Sequence, residues 1–332
     1  MRIIVDGMGG DNAPTEIVKG SIDALNEYGI DLLIVGDENK IREELAKYSY
    51  SEDRVEVLHA DDIISNDDDP ALAIRRKKNS SLVVGLNALT DGKGDGFVSA
   101  GSTGALLAGG MLIVKRIKGI DRAALTSVYP TRNGLALLVD AGANTDSKAE
   151  YLRQFALMGS IYMEKVMGIE NPKVGLANIG TEEGKGNELT KEAYSLLKNS
   201  NINFIGNIEG RTMPLGDADV IVADGFVGNM ILKVTEGVAI FLFKELKDIF
   251  YADTKSKLGA LLLKPGLKEL KSKTDYTEYG GAPLLGTKKP IIKAHGSSNA
   301  YAFKNAINQA NKFIEKDVIE TIEREMDLNI NK

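Results

Sequence analysis

Arg2-Ile-Ile-Val-Asp-Gly-Met-Gly-Gly-Asp-Asn-Ala-Pro14 decides the fold. A short apolar run stops at an acid, a glycine-rich loop follows, and Pro14 suits the first turn of a helix running to about Tyr28. The same grammar recurs. Phe97-Val98 precedes Ser99-Ala-Gly-Ser-Thr-Gly104, and Leu135–Val139 precedes Asp140-Ala-Gly-Ala-Asn144. Val174–Ile179 leads into Gly180-Thr-Glu-Glu-Gly-Lys-Gly-Asn187, Val220–Ala223 into Asp224-Gly-Phe-Val-Gly-Asn229, and Ile291–Lys293 into Ala294-His-Gly-Ser-Ser-Asn299. Continuous apolar strands alternating with helices are strands covered on both faces, so an α/β fold with a mostly parallel sheet and right-handed crossovers is expected. In such a sheet the loops at the carboxyl ends of the strands gather on one edge, where ligands bind. Six such loops predict a single convergent polar site.

The helices have readable starts. Ser147 is the expected N-cap of a helix through Met167, with Glu150 as capping-box partner. Asn187 opens a helix through Lys198, and Phe226 to Phe250 reads as one long apolar-rich helix. Ser298 or Asn299 caps a final helix carrying most of the last stretch, and Asp61–Asp69 reads as an acidic surface loop. With no internal repeat and no long linker, residues 1–332 are expected to form one α/β catalytic unit, with a helical hairpin at about 250–275.

Composition removes several chemistries. There is no cysteine, hence no disulfide framework, zinc-thiolate site or thiol nucleophile. His59 and His295 are the only histidines, which argues against a histidine-rich metal site. The formal net charge of −6 argues against nucleic-acid binding by the whole protein. The chain starts directly on a strand with no secretion signal, and no stretch of about 18 apolar residues is seen, so no membrane span is expected. The expectation is a cytosolic protein with 43% hydrophobic and 27% charged residues, an ordinary globular balance.

Gly7-Met-Gly9-Gly-Asp-Asn12 approaches the dinucleotide fingerprint, but Asn12 stands where the last glycine should allow close helix packing. Gly180-Thr-Glu-Glu-Gly184-Lys185-Gly186 approaches a P-loop, yet its glycines are one residue too close and Gly186 replaces the magnesium-binding Ser or Thr. The same parts still suit a smaller anion: freed backbone N–H groups, the start of a helix and the Lys185 ammonium. Ser99–Gly104 and His295–Asn299 supply hydroxyls, an imidazole and amides, although capping is the commoner use of Ser and Asn there. No G-x-S-x-G elbow occurs. Asp6, Asp140 and Asp224 each end a strand, and bonding to the surrounding loop amides is favoured over metal binding for all three. Two basic stretches stand out: Arg75-Arg-Lys-Lys78, and Lys255 to Lys273, where leucines interleave with six lysines and Pro265-Gly266 breaks the run. They read as solvated helices, a dimer contact, or a surface for an acidic protein or anionic bilayer.

Taken together, these loops resemble the signature segments of the phosphate acyltransferases of bacterial phospholipid synthesis, from the first strand to the last helix. The resemblance implies a three-layer α/β/α sandwich like that of phosphotransacetylases and isocitrate/isopropylmalate dehydrogenases. It implies transfer of a fatty acyl group from acyl–[acyl carrier protein] to inorganic phosphate, without cofactor or metal. It further implies a cytoplasmic homodimer, loosely attached to the membrane, whose acyl phosphate passes to a membrane glycerol-3-phosphate acyltransferase. On that reading Lys185 is the main cation, helped by the amides of Gly184 and Gly186. His295 and Ser297 are candidates for a second donor or for protonating the thiolate, and Asn144 and Asn229 for orienting substrate. Asp6, Gly9, Asn12, Ser102, Thr103, Asn187 and Asp224 complete the expected phosphate and substrate loops. Arg75, Arg76, Lys257, Leu261, Leu262, Lys264 and Lys268 become the expected carrier-protein or membrane surface. A phosphotransacetylase acting on acyl-coenzyme A is the nearest alternative.

Overall fold

A computed structural model describes residues 1–274 and 280–330. The first half of the chain runs β1 (Arg2–Asp6), α1 (Thr15–Tyr28), β2 (Asp31–Gly36), α2 (Glu38–Leu45), β3 (Val55–His59), α3 (Pro70–Arg76), α4 (Ser81–Thr90), β4 (Gly96–Ser99) and α5 (Thr103–Gly109). It continues through β5 (Ala124–Thr131), β6 (Gly134–Val139), α6 (Ala149–Lys165), β7 (Val174–Asn178), α7 (Glu188–Lys198), β8 (Phe204–Glu209) and β9 (Val220–Val222). Then come α8 (Gly225–Tyr251), α9 (Thr254–Thr274), β10 (Gly281–Leu285), β11 (Ile291–Ala294), α10 (Ala300–Glu315) and α11 (Val318–Ile330). The strands form one 11-stranded sheet in the order β3-β2-β1-β4-β11-β10-β5-β6-β9-β7-β8.

Helices cover both faces, as continuous apolar strands require. Ile3 and Val5 of β1 face a core layer with α1 and α10, while Ile4 faces another with α4 and α5. Beyond β10, α6 and α7 pack on one face around Phe155, Leu176 and Val222, and Leu138 and Ile221 bury on the other beneath α8. This is the expected three-layer α/β/α sandwich.

The sheet is parallel only within each half. β11 runs parallel to β4, then β10 is antiparallel to β11, β5 to β10 and β6 to β5. Three reversals leave β6, β9, β7 and β8 pointing opposite to β1, β4 and β11. The carboxyl ends of the six motif-bearing strands therefore lie on two opposite edges, and the expected single edge is corrected to two. The reading failed because Ala124–Thr131 and Gly281–Leu285 carry no glycine-rich loop that marks their direction in the sequence.

Local chemistry fixes most helix ends as read. Asn187, Asp224 and Asn299 accept amide hydrogens at the starts of α7, α8 and α10. Ser147 does not cap α6: Lys148 takes that position, and the Ser147 hydroxyl donates to the Asn144 carbonyl. Pro14 sits just before α1 rather than inside its first turn. The expected final helix is two, because Asp317 at φ 49 turns the chain between α10 and α11.

The hairpin is formed by the last part of α8, from Phe243 to Tyr251, against α9. Pro265 lies inside α9 without ending it. On so exposed a helix the Leu261 carbonyl left without its amide partner can be hydrated, so the missing bond is tolerated. Within the basic stretch, the side chains of Glu269, Lys271 and Lys273 lie outside the described residues, as does Asp275 at the end of the expected hairpin. Helix α8 corrects one part of the reading, that no stretch is apolar enough to span. It holds an 18-residue window of mean hydropathy 1.6 and is long and apolar enough to cross a membrane, by length and composition alone. A search for an uninterrupted apolar run misses it, because Thr235, Glu236 and Gly237 break the run without making the window polar. Its first half belongs to the folded body, where Thr235 hydrogen-bonds Tyr129 of β5 at 3.2 Å.

Phe155, fully buried in α6, anchors the core of the second half. Phe155→Ala is expected to destabilise the protein by about 3–5 kcal/mol, measured by equilibrium denaturation.

Candidate functional site

On the first edge, three loops are sewn together. The Ser99 hydroxyl donates to the Asp6 carboxylate at 2.6 Å and accepts from the Gly101 amide at 3.0 Å. The Asn12 side chain donates to the carbonyls of Ser297 and Ser298, both at 3.2 Å, and the Asp11 amide donates to Gly296. Gly9 has no alternative: a Cβ there would fall 2.5 Å from Asp6 Oδ2 and 2.7 Å from the Gly101 nitrogen. Burial pushes the Asp6 carboxyl above its ordinary range, opposed by the hydroxyl and amide bonds it accepts. Asp6 is thus committed to shaping the loop. Ser102 caps α5, and Thr103 follows it.

His295 sits at the rim of this cluster. Its Nδ1 accepts the Ser297 amide at 3.2 Å and lies 2.9 Å from the Ser297 hydroxyl. An amide can only donate, so Nδ1 is the acceptor and the proton of the neutral ring is on Nε2. Partial desolvation, with Lys293 and Lys233 nearby, holds the imidazole below its ordinary pKa and favours that neutral form.

On the second edge, Asp140 is the organiser. Its carboxylate accepts from the amides of Leu125, Gly142, Ala143 and Asn144 and from the Asn144 side chain. Burial nevertheless pushes its carboxyl up. The Asn144 side-chain amide also donates to the Ala123 carbonyl, so both of its N–H groups are used within the scaffold. Asn229, one turn into α8, lies beside Gly142, and Asp224 is spent on the amides of Phe226 and Val227. The three strand-ending aspartates hold amides, as favoured from the sequence.

The Gly180–Asn187 loop belongs to this edge. Gly186 has φ +95, and a Cβ there would lie 2.0 Å from the Thr190 hydroxyl and 2.5 Å from Asn178 Oδ1, so only glycine fits. The Asn178 side chain donates to the Lys185 carbonyl at 3.2 Å, fixing the turn. Asn178, Gly186 and Asn187 line a cavity of ≈ 560 Å³ with Leu176, Met213, Val227 and Ile231, and Lys185 is outside that wall. Lys185, Gly184 and Gly186 are therefore on the opposite edge from His295 and Ser297.

A groove joins the two edges along β5 and β10. Its walls include Thr103, Lys293 and His295 from the first cluster, Ala141 from the second, and Leu232, Lys233 and Glu236 of α8. Asn229 and Lys233 are four residues apart, a rise of about 6 Å along a helix, so α8 bridges the clusters. On the first edge a polar cavity of ≈ 340 Å³ opens beside Gly10, Asp11, Gly101, Ser102 and Thr103, roofed by Ile63–Asn66 of the acidic loop. Lys293 lines both spaces and was not singled out from the sequence. Its signal was present in Ile291-Ile-Lys293-Ala294: a lysine in an apolar strand is a buried charge that needs a reason.

Arg75 and Arg76 close α3 and are exposed, while Lys77 pairs with Asp68 at 2.8 Å. Further along α8, Lys257, Leu261, Lys264 and Lys268 of α9 face it across a cleft of ≈ 600 Å³. Leu262 is 76% exposed, and on α8 Ile240 is 70% exposed.

Residues 1–321 match the family model described as fatty acid synthesis protein. The chain is 56% identical over 322 residues to a phosphate acyltransferase of Alkaliphilus oremlandii, covering 97% of this chain and 96% of that one. It is 54% identical over 328 residues to a phosphate acyltransferase of Clostridium acetobutylicum, covering 98% and 99%. Among solved structures it is similar in fold to a phosphotransacetylase from Streptococcus pyogenes, with a TM-score of 0.64 at 19% identity over 95% of this chain and 94% of that one. A 4-hydroxythreonine-4-phosphate dehydrogenase from Klebsiella pneumoniae aligns with a TM-score of 0.50 at 12% identity over 96% and 98%.

Because one carboxylate satisfies four backbone amides, Asp140→Ala is expected to destabilise the protein by at least about 3 kcal/mol, given about 1–3 kcal/mol for each donor stranded without a partner. Asp140→Asn, which keeps one carbonyl acceptor, is expected to cost less. Chemical denaturation of the two variants beside the wild type measures both.

Proposed function

The chain belongs to the phosphate acyltransferase family, and from that premise we propose that it moves a fatty acyl group from an acyl–[acyl carrier protein] thioester to inorganic phosphate, yielding an acyl phosphate for phospholipid synthesis. The observation that carries this reading is identity at more than half of the positions with phosphate acyltransferases along nearly the entire chain.

The groove suits the chemistry. A phosphate oxygen forms the new bond to the thioester carbonyl carbon as the C–S bond breaks, and the proton of hydrogen phosphate ends on the departing sulfur. Phosphate is itself the nucleophile, which is consistent with a chain that has no cysteine. The task of the protein is to hold two substrates in an attack pose and to stabilise the oxyanion that develops. His295, neutral with its proton on Nε2, has the form required of a donor to that oxyanion, and Ser297 holds the ring in that tautomer. Leu125, Val128 and Leu232 give the groove an apolar lining for the start of the acyl chain. Lys185, with the amides of Gly184 and Gly186, is an anion-binding loop at the far end.

The partners follow from the same reading. The carrier protein is acidic, so Arg75 and Arg76 or the Lys257, Lys264 and Lys268 face of α9 is its docking surface. The exposed apolar side of the α8–α9 hairpin supports a cytoplasmic homodimer that touches the bilayer and hands its product to a membrane glycerol-3-phosphate acyltransferase.

Trapping with hydroxylamine should give acyl hydroxamate from palmitoyl–carrier protein only when phosphate is present. Palmitoyl-coenzyme A run in parallel should be the poorer donor, and a clear preference for it would instead favour a phosphotransacetylase. Lys185→Ala is expected to reduce acyl phosphate formation at least tenfold, about 1.4 kcal/mol in the barrier, with an unchanged melting temperature. Leu262→Asp is expected to lower co-sedimentation with anionic vesicles without changing turnover of soluble carrier-protein substrate.

A further inference from the structure

Resting on the acyl-transfer reading, we propose that Lys293 is the cation that holds orthophosphate, at the junction between the polar cavity and the groove, for attack on the thioester.

Its place in the sheet is the first observation. Lys293 is in β11, opposite Ala282 of β10 and beside Ser99 of β4. Its Nζ donates to the carbonyl of Ala100 at 3.4 Å and to the carbonyl of Ala294. An ammonium has three donors, so one is left for a ligand. Carbonyls accept hydrogen bonds but do not neutralise the charge. Among the described residues, no carboxylate forms an ion pair with Nζ within 4.0 Å. A partly buried cation so placed fits a bound anion as its counter-ion.

The second observation is the pair of spaces it divides. Lys293 and Thr103 are common to the walls of the ≈ 340 Å³ polar cavity and of the groove. The polar cavity is large enough for orthophosphate, and the groove carries the apolar surface suited to an acyl thioester. An anion held on Nζ is therefore at the meeting point of the two, within reach of the Thr103 wall. Asp11 lines the same cavity. Its carboxylate can accept a hydrogen bond from the one oxygen of hydrogen phosphate that bears a proton, so its charge does not preclude binding of that anion. Lys293 keeps its proton throughout: the phosphate proton goes to sulfur, and the ammonium only positions and stabilises.

Burial pushes Lys293 down to about 8, with Asp6 and Asp11 of the β1 loop opposing. His295 lies two residues on, and Lys233 and Glu236 face it from α8. The free ammonium is therefore present at neutral pH and lost as pH rises through about 8.

Lys293→Met keeps the stem and removes a buried charge, so it is expected to fold with a melting temperature at least that of the wild type. With purified enzyme, the KM for phosphate should rise at least tenfold while the KM for acyl–carrier protein stays within twofold. Inorganic phosphate should raise the melting temperature of the wild type, but not of Lys293→Met. In the wild type that shift should shrink as pH rises through about 8, over a range in which orthophosphate stays a dianion, which tests the idea without any variant. A phosphate KM unchanged in Lys293→Met, or a thermal shift retained in it, overturns the proposal. If the wild type forms no acyl phosphate yet shows a phosphate shift that depends on Lys293, the anion site stands and the acyl-transfer reading falls.

Discussion

Two antiparallel strands, β5 and β10, set the geometry of everything else. Each half of the sheet obeys the usual logic of parallel strands, whose carboxyl ends present loops along one edge. Inserting two strands that run against their neighbours turns the second half around. The glycine-rich loops are then divided between opposite edges, and the face of β5 and β10 becomes the floor of the groove that connects them. The long helix α8 starts at one cluster and passes the other, so it fixes the length of that groove.

Within each cluster a buried aspartate does the organising. Asp6 and Asp140 are desolvated, which by itself favours their neutral forms, and each is surrounded by amide or hydroxyl donors that oppose that shift. Carboxylates used in this way cannot also serve as free bases. The groups left at the surface of the scaffold are the imidazole of His295, the hydroxyl of Thr103, and two lysines, Lys293 and Lys185, on opposite edges.

The α8–α9 hairpin follows a different logic. Its apolar residues are exposed rather than packed, with Ile240, Phe241 and Leu262 each more than half open to solvent. Large apolar side chains are ordinarily packed rather than left open in this way. Lys257, Lys264 and Lys268 of α9 line the cleft that separates the two helices.

The sequence by itself determined the strands, the caps and the loops. Ile3–Val5, Asn187, Asp224 and Asn299 act through neighbours a few residues away, so their roles are legible in order along the chain. It also determined the family, because the loop motifs are local strings. Only the tertiary structure decided which loops meet. Strand direction across β10 and β5 depends on pairings between residues far apart, such as Leu284 with Leu125, and no local pattern encodes those. The same distance hid Lys293, an unremarked lysine in an apolar run until the carbonyl of Ala100, nearly two hundred residues earlier, and the two cavities came to surround it. Capping is a matter of adjacent atoms, whereas a binding site is made by chain segments that only folding brings together.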